Sequence, residues 1–286
     1  MKATMLNGTL YRDEACDLVR LPASDRGFLL GDGLFETLPV LQGMPLWWPE
    51  HRTRLTQSAK RLGLPLDHVL LDETVTQLAA LSGDANTILR IAVSRGSGGR
   101  GLLPPAKAQP TLLATLAPLP DGLAFQDMTL ATCSIRRNAH SITASIKSNN
   151  YLDNIMAAQQ AEQAGASDAL MLNTDGRIAC STIGNLFALH GNHLITPPAS
   201  DGVLPGILRQ QILALAPQWG FEASEATLMP DDVKKADGLI MTNSLRFIRR
   251  VTAWDDIAFT TKPDDAIAHL QARMRDHVGN LTGVAL

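Results

Sequence analysis

The chain has 286 residues, 45% of them hydrophobic, which is enough to bury one large core or two cores of roughly 100 to 200 residues. Lysine plus arginine is 25 and aspartate plus glutamate is 28, so the net charge is −3, too near neutral to suggest a nucleic-acid partner. No apolar run approaches the roughly 18 residues of a membrane span, and charges interrupt the first thirty residues where a signal peptide would lie, so a cytoplasmic protein without a membrane partner is expected.

In chain order, residues 49–62 read as a helix, with Leu55, Ala59 and Leu62 at helical spacing and Gly63 as the stop. A second helix is expected over 72–81. Residues 87–94 and 111–116 read as strands, rich in β-branched and aliphatic side chains between Gly- or Pro-containing stretches. The turn-rich Leu119-Pro120-Asp121-Gly122 suggests a boundary, and a strand over 128–135 follows. Next come a helix over 150–164 and a hairpin of 169–173 with 177–181 around Asp175-Gly176. A second hairpin joins 186–189 to 193–196 across Gly191-Asn192. Further helices are expected just after Pro205-Gly206 and from Asp264 to about Val278. The predicted class is mixed α/β in two domains, 1–118 and 122–286, joined by a linker at 119–121.

Cys16, Cys133 and Cys180 form no CxxC pair, and the histidines show neither HxH nor HExxH spacing, so no metal site is expected. Lysine is scarce, 7 against 18 arginines, and Lys147 is the only charged residue between Ser141 and Leu152. A lysine sheltered from water loses solvation of its ammonium form and becomes a nucleophile or proton carrier. Local context alone favours the plainer reading, a lysine at the exposed end of a strand. Around Gly206, where a helix begins, the backbone would suit a phosphate, though a plain loop-to-helix junction reads the same way. Thr242-Asn243-Ser244 could meet the same phosphate or simply end a strand. The loop Ser94-Arg95-Gly96-Ser97-Gly98-Gly99-Arg100-Gly101 suits capture of a substrate carboxylate, or is a surface loop. It lacks the lysine and hydroxyl of a nucleotide-binding P-loop.

Together these segments resemble the class IV aminotransferase family, the fold-type IV pyridoxal-phosphate (PLP) enzymes that include branched-chain and D-amino-acid aminotransferases and aminodeoxychorismate lyases. The markers stand in order: Gly31-Asp32-Gly33-Leu34-Phe35-Glu36, His51-Arg52-Thr53-Arg54-Leu55, Lys147-Ser148-Asn149-Asn150-Tyr151-Leu152, Asn185-Leu186-Phe187 and Leu204-Pro205-Gly206-Ile207. The resemblance implies PLP in a cleft between two domains and a homodimer whose loops complete the site. It makes Lys147 the Schiff-base lysine, Arg54 the phosphate arginine and Tyr151 the partner of the ring hydroxyl. Leu204 would pack on the ring, Gly206, Ile207 and Leu208 would offer backbone to the phosphate, and Asn243 with Ser244 would complete its binding. Many relatives have threonine at 208.

Phe35 and Arg100 would face a small-molecule amino substrate. Phe35 stands where D-amino-acid enzymes usually carry tyrosine, and the loop over 94–101 resembles that of aminodeoxychorismate lyases. The implied reaction is release of pyruvate and 4-aminobenzoate from aminodeoxychorismate. The alternatives are an aminotransferase for branched-chain or D-amino acids with 2-oxoglutarate, and a non-catalytic PLP-binding relative. One position departs from the family: Cys180 occupies the place of the glutamate that keeps the pyridine nitrogen protonated. A thiol, with a pKa of about 8.5, replaces a carboxylate poorly.

Overall fold

The structure, a computed structural model, describes residues 2–259 and 265–284 and contains two compact α/β units. The first gathers the described residues up to Pro120 with Lys147–Asn150 and Thr282–Val284; the second holds Asp121–Ile146 and the described part of Tyr151–Leu281. The sequence suggested one crossing of the chain. Lys147–Asn150 departs from that scheme because its backbone hydrogen-bonds to a strand of the first unit.

The first unit's sheet is wholly antiparallel, in the order Thr9–Arg12, Ala3–Leu6, Thr111–Pro118, Thr87–Ser94, Gly33–Leu41, Met44–Pro45. Along Thr87–Ser94 the residues Leu89, Ile91 and Val93 are buried while Arg90 is exposed, the period-two signature of a sheet with one open face. Helices Trp48–Leu62 and His68–Ser82 pack on the sheet through Leu55 and Ala59, and through Leu71, Val75 and Leu78. The second begins ahead of the expected residue 72 because Asp67 caps it, accepting from the amides of Val69 and Leu70 at 3.0 Å each. Gly33–Leu41 is nearly all buried and so shows none of the polar alternation that marks a half-exposed strand.

In the second unit the strand order is Glu222–Glu225, His193–Thr196, Asn185–His190, Gly238–Asn243, Phe247–Trp254, Met128–Thr132, Asp168–Leu172, Ile178–Ser181. The last pairs back onto Asn185–His190 through Cys180 and Asn185, closing six strands into a ring. The Asp175-Gly176 turn joins its two strands with Gly176 at φ +79°. Helix Leu152–Gln163 packs Ala157 and Ala161 against Ala169, Met171, Ala179 and Cys180, where small side chains allow close approach. Ile207–Leu215 begins directly after Gly206. The last helix is Ala266–Thr282; its expected start at Asp264 lies outside the described residues. Among the described residues no helix is long and apolar enough to cross a membrane.

Candidate active site

Lys147 is placed by backbone bonds to the start of strand Gly33–Leu41. The Phe35 amide donates to the Lys147 carbonyl at 2.9 Å, and the Asn149 amide donates to the Gly33 carbonyl at 3.0 Å. Asn150 Nδ2 adds a bond to the Gly31 carbonyl at 3.1 Å. Two glycines make this approach possible. A Cβ on Gly33 would lie 2.6 Å from Asn149 Nδ2, and Gly31, at φ +66°, would place one 2.7 Å from Asn150 Oδ1. The docked segment sets Lys147 Nζ 4.3 Å from the centre of the Phe35 ring. A second cation, the guanidinium carbon of Arg90, lies 3.9 Å from the same centre, so both cations share the Phe35 ring. Arg90 was not singled out from sequence; its signal was a charged residue alternating with buried aliphatics.

Glu36 follows Phe35 and is fully buried. Arg54 grips its carboxylate in a fork, Nε to Oε1 at 2.8 Å and Nη2 to Oε2 at 2.5 Å, while His51 Nδ1 donates to Oε2 at 2.7 Å. Burial alone would raise the Glu36 carboxyl, but the Arg54 charge and the bonds from Arg54 and His51 outweigh it and hold the pKa at about 2. Burial pushes His51 below its ordinary value, so it stands as a neutral donor. His51 and Arg54, three residues apart on one helix, face Glu36 together.

Arg26 and Arg95 both donate through Nε to Asp32 Oδ2, at 2.9 and 2.8 Å. Arg26 also reaches the carbonyls of Gly101 and Leu102, at 3.0 and 2.8 Å, and so ties the glycine-rich loop to the sheet. Arg100 stands exposed on that loop.

The remaining expected residues lie in the second unit. Tyr151 is half-buried at the start of Leu152–Gln163, its carbonyl accepting from the Ile155 amide at 2.9 Å. Cys180 is buried at the ring closure, opposite Asn185. Burial pushes its thiol up; Arg137 opposes this only in part, and its Nε and Nη2 donate to the carbonyls of Gly202 and Ala144. Burial likewise pushes up Asp168, whose Oδ1 accepts from Thr182 Oγ1 while its buried Oδ2 has no hydrogen-bond partner among the described residues.

Asn185 Nδ2 donates to the Leu204 carbonyl at 2.8 Å, and its Oδ1 fills the space a Cβ on Gly206 would take, at 1.9 Å. Gly206 is therefore required for space and not for its dihedral angles, φ −69° and ψ 142°. Ile207 and Leu208 open the helix, where amides lack intrahelical acceptors. The Asn243 side chain is engaged at both ends: Oδ1 accepts from the amides of Leu245 and Arg246 at 3.1 and 2.8 Å, and Nδ2 donates to the Ile183 carbonyl at 3.3 Å. Of the flanking hydroxyl residues, Thr242 is buried and Ser244 half-buried.

Within the second unit, the glycine cradle at Gly206 and the helix-start amides that follow it have the chemistry to fit a phosphate ester; within the first unit, the guanidinium of Arg54 is held in a fixed orientation. The neutral Cys180 does not reproduce a carboxylate. A family model described as amino-transferase class IV matches residues 33–254. A Methanocaldococcus jannaschii protein, provisionally named a branched-chain-amino-acid aminotransferase, is 32% identical over 223 residues, 77% of each chain. The aminodeoxychorismate lyase of Bacillus subtilis is 28% identical over 263 residues, 90% of this chain and 89% of that one. The crystal structure of 4-amino-4-deoxychorismate lyase from Pseudomonas aeruginosa superposes with a TM-score of 0.84 at 28% identity, covering 96% of this chain and 98% of the other.

Proposed function

Because the chain belongs to the class IV aminotransferase family, and is therefore a PLP-dependent lyase or aminotransferase, we propose that it is an aminodeoxychorismate lyase. In this reading it releases pyruvate and 4-aminobenzoate. The observation that carries the choice is Cys180, buried with its thiol pushed up and therefore neutral. Such a group stabilises a protonated ring nitrogen weakly. Elimination that gains an aromatic ring tolerates this better than reversible transamination, and the lyase relatives, matched over nearly their whole length, support the same choice.

When bound, PLP supplies an electron-accepting ring conjugated to the carbon that takes the substrate amine. Lys147 would hold the cofactor, and its amine is the base for the proton on the substrate ring carbon that bears the amine. The enolpyruvyl group on the neighbouring ring carbon takes the electron pair as its C–O bond breaks, and the departing enolate gains a proton to become pyruvate. Arg54 answers the phosphate charge, and Gly206, Ile207, Leu208 and Ser244 offer it amides and a hydroxyl, with Asn243 shaping the turn. Tyr151 tunes the ring oxygen, Leu204 packs on the ring, and Phe35 supports Lys147. The substrate carries two carboxylates, for which Arg100 and Arg90 are the guanidinium partners.

We propose a homodimer in the cytoplasm. Phe28, Leu29, Leu102 and Leu103 are 81%, 58%, 82% and 88% exposed, and Arg26 links their two segments, so an apolar surface is held in one place. Sedimentation of Leu103→Asp tests this: a dimer unchanged by the variant refutes the assigned face.

The reaction is tested by supplying aminodeoxychorismate to PLP-loaded protein and measuring 4-aminobenzoate, beside a panel of amino acids with 2-oxoglutarate. No 4-aminobenzoate, with keto acid formed from an amino acid, would replace the lyase by the aminotransferase. No turnover in either assay would leave a PLP-binding relative.

A further inference from the structure

Arg54 can hold an anion firmly only if its guanidinium is held first. A free arginine side chain has several rotatable bonds, and freezing them at the moment of binding weakens affinity. Here the freezing is done by the protein. Glu36 accepts from both Nε and Nη2, which fixes the plane of the guanidinium as well as its position. Glu36 is itself immobile: it lies within strand Gly33–Leu41, is 1% exposed, and its Oε2 also takes the His51 bond. His51 is 0% exposed and sits one helical turn from Arg54, so three buried side chains constrain one another.

We propose that Glu36 is the positioning residue of the phosphate anchor, acting on the cofactor only through Arg54. The proposal rests on the reading that Arg54 binds the PLP phosphate. It assigns Glu36 no contact with cofactor or substrate. It also explains why the segments 31–36 and 51–55 belong to one device: the first supplies the clamp and the second the clamped group. His51 supports the clamp by occupying Oε2 from the far side of the helix turn.

The test is equilibrium titration of cofactor-free protein with PLP and, separately, with pyridoxal, which has the same ring and aldehyde but no phosphate. Binding is read from the visible absorbance of the lysine-bound cofactor. Glu36→Gln is expected to weaken PLP binding about tenfold or more, the effect of losing one well-aligned charge-assisted bond, while pyridoxal affinity stays within about twofold. Arg54→Gln should weaken PLP at least as much. The double variant should be no worse than Arg54→Gln alone, because a clamp without its arginine has nothing to hold. Glu36→Asp, which keeps the charge, should recover part of the loss, and it serves in place of Glu36→Gln should that protein not fold.

Equal loss of PLP and pyridoxal affinity in Glu36→Gln would assign Glu36 a merely structural role and overturn the proposal. A loss in Arg54→Gln with none in Glu36→Gln would overturn it as well. If Arg54→Gln itself leaves PLP affinity unchanged, the underlying phosphate assignment falls, an outcome distinct from the other two.

Discussion

Replacing Gly206 by alanine tests whether the proposed phosphate cradle is a space requirement. The backbone at 206, φ −69° and ψ 142°, is open to any L-residue, so no dihedral strain enters. The new Cβ would lie 1.9 Å from Asn185 Oδ1 and 3.1 Å from its Cγ, so either the amide or the loop must shift. Overpacking of this kind costs about 1–3 kcal/mol. Rotating the Asn185 amide also endangers its 2.8 Å bond to the Leu204 carbonyl, worth about 1 kcal/mol. Against this, alanine restricts the unfolded chain, a gain of about 0.4–1 kcal/mol. The net expectation is a loss of about 1–3 kcal/mol, seen in thermal unfolding as a Tm lower by roughly 2–4 °C per kcal/mol. Gly99→Ala is the control, since a Cβ there meets nothing within 4 Å. PLP affinity should fall in Gly206→Ala and not in the control. A Tm and PLP affinity equal to those of the parent would refute the reasoning, because the clash could then be relieved without cost.

Acid unfolding should report Glu36. Its folded pKa, about 2 against an ordinary 4.5, stabilises the fold above pH 4.5 by roughly 3 kcal/mol, and that stability is lost as pH falls toward 2. Urea titrations should therefore show a steep decline over this window that Glu36→Gln lacks; identical slopes would refute the assignment. Arg26→Met removes the ties to the Gly101 and Leu102 carbonyls, so trypsin should cleave after Arg100 several times faster than in the parent, and an unchanged rate would count against the clasp. Cys180→Glu would restore a carboxylate at the ring closure at a cost of about 1–3 kcal/mol from overpacking. It should raise the rate at which amino acids convert the bound cofactor to its amine form by about tenfold or more, on the order of 1.4 kcal/mol of barrier. No increase would remove Cys180 as the reason for a weak electron sink.

What the sequence made legible were residues whose chemistry demands one type at one place. Lys147 stands alone among uncharged neighbours, and Gly206 was read as a close backbone approach, whereas the close approaches at Gly31 and Gly33 came only from the structure. The pairing of Glu36 with Arg54 was not legible, although both lay inside marked segments, because nothing in a one-dimensional pattern shows that a strand position faces a helix position. Arg90 was missed for the opposite reason: an exposed charge on an alternating strand is ordinary, and only its placement over Phe35 distinguishes it. The return of Lys147–Asn150 to the first unit's sheet escaped notice since four residues are too few to carry a periodicity. The Asn243 side chain read as part of a phosphate site, and a one-dimensional pattern does not show that its Oδ1 accepts from two amides of its own turn while its Nδ2 donates to the Ile183 carbonyl.

Two of the buried carboxyls, Glu36 and Asp168, have opposite fates, and the contrast bears on the chemistry. Glu36 is kept ionised because both its oxygens meet N–H donors, two of them on a guanidinium. Asp168 has an oxygen with no hydrogen-bond partner among the described residues, and burial drives it toward its neutral form. Asp168 is also among the groups that raise the Cys180 thiol, so an ionised Asp168 and an ionised Cys180 disfavour each other. A thiol in place of a carboxylate therefore removes negative charge, and Asp168, the carboxyl among the described groups acting on Cys180, is itself pushed up. Fixed negative charge is maintained at Glu36, beside the proposed phosphate arginine, and is weakened beside Cys180. That distribution suits a reaction in which the product's own aromaticity supplies the driving force.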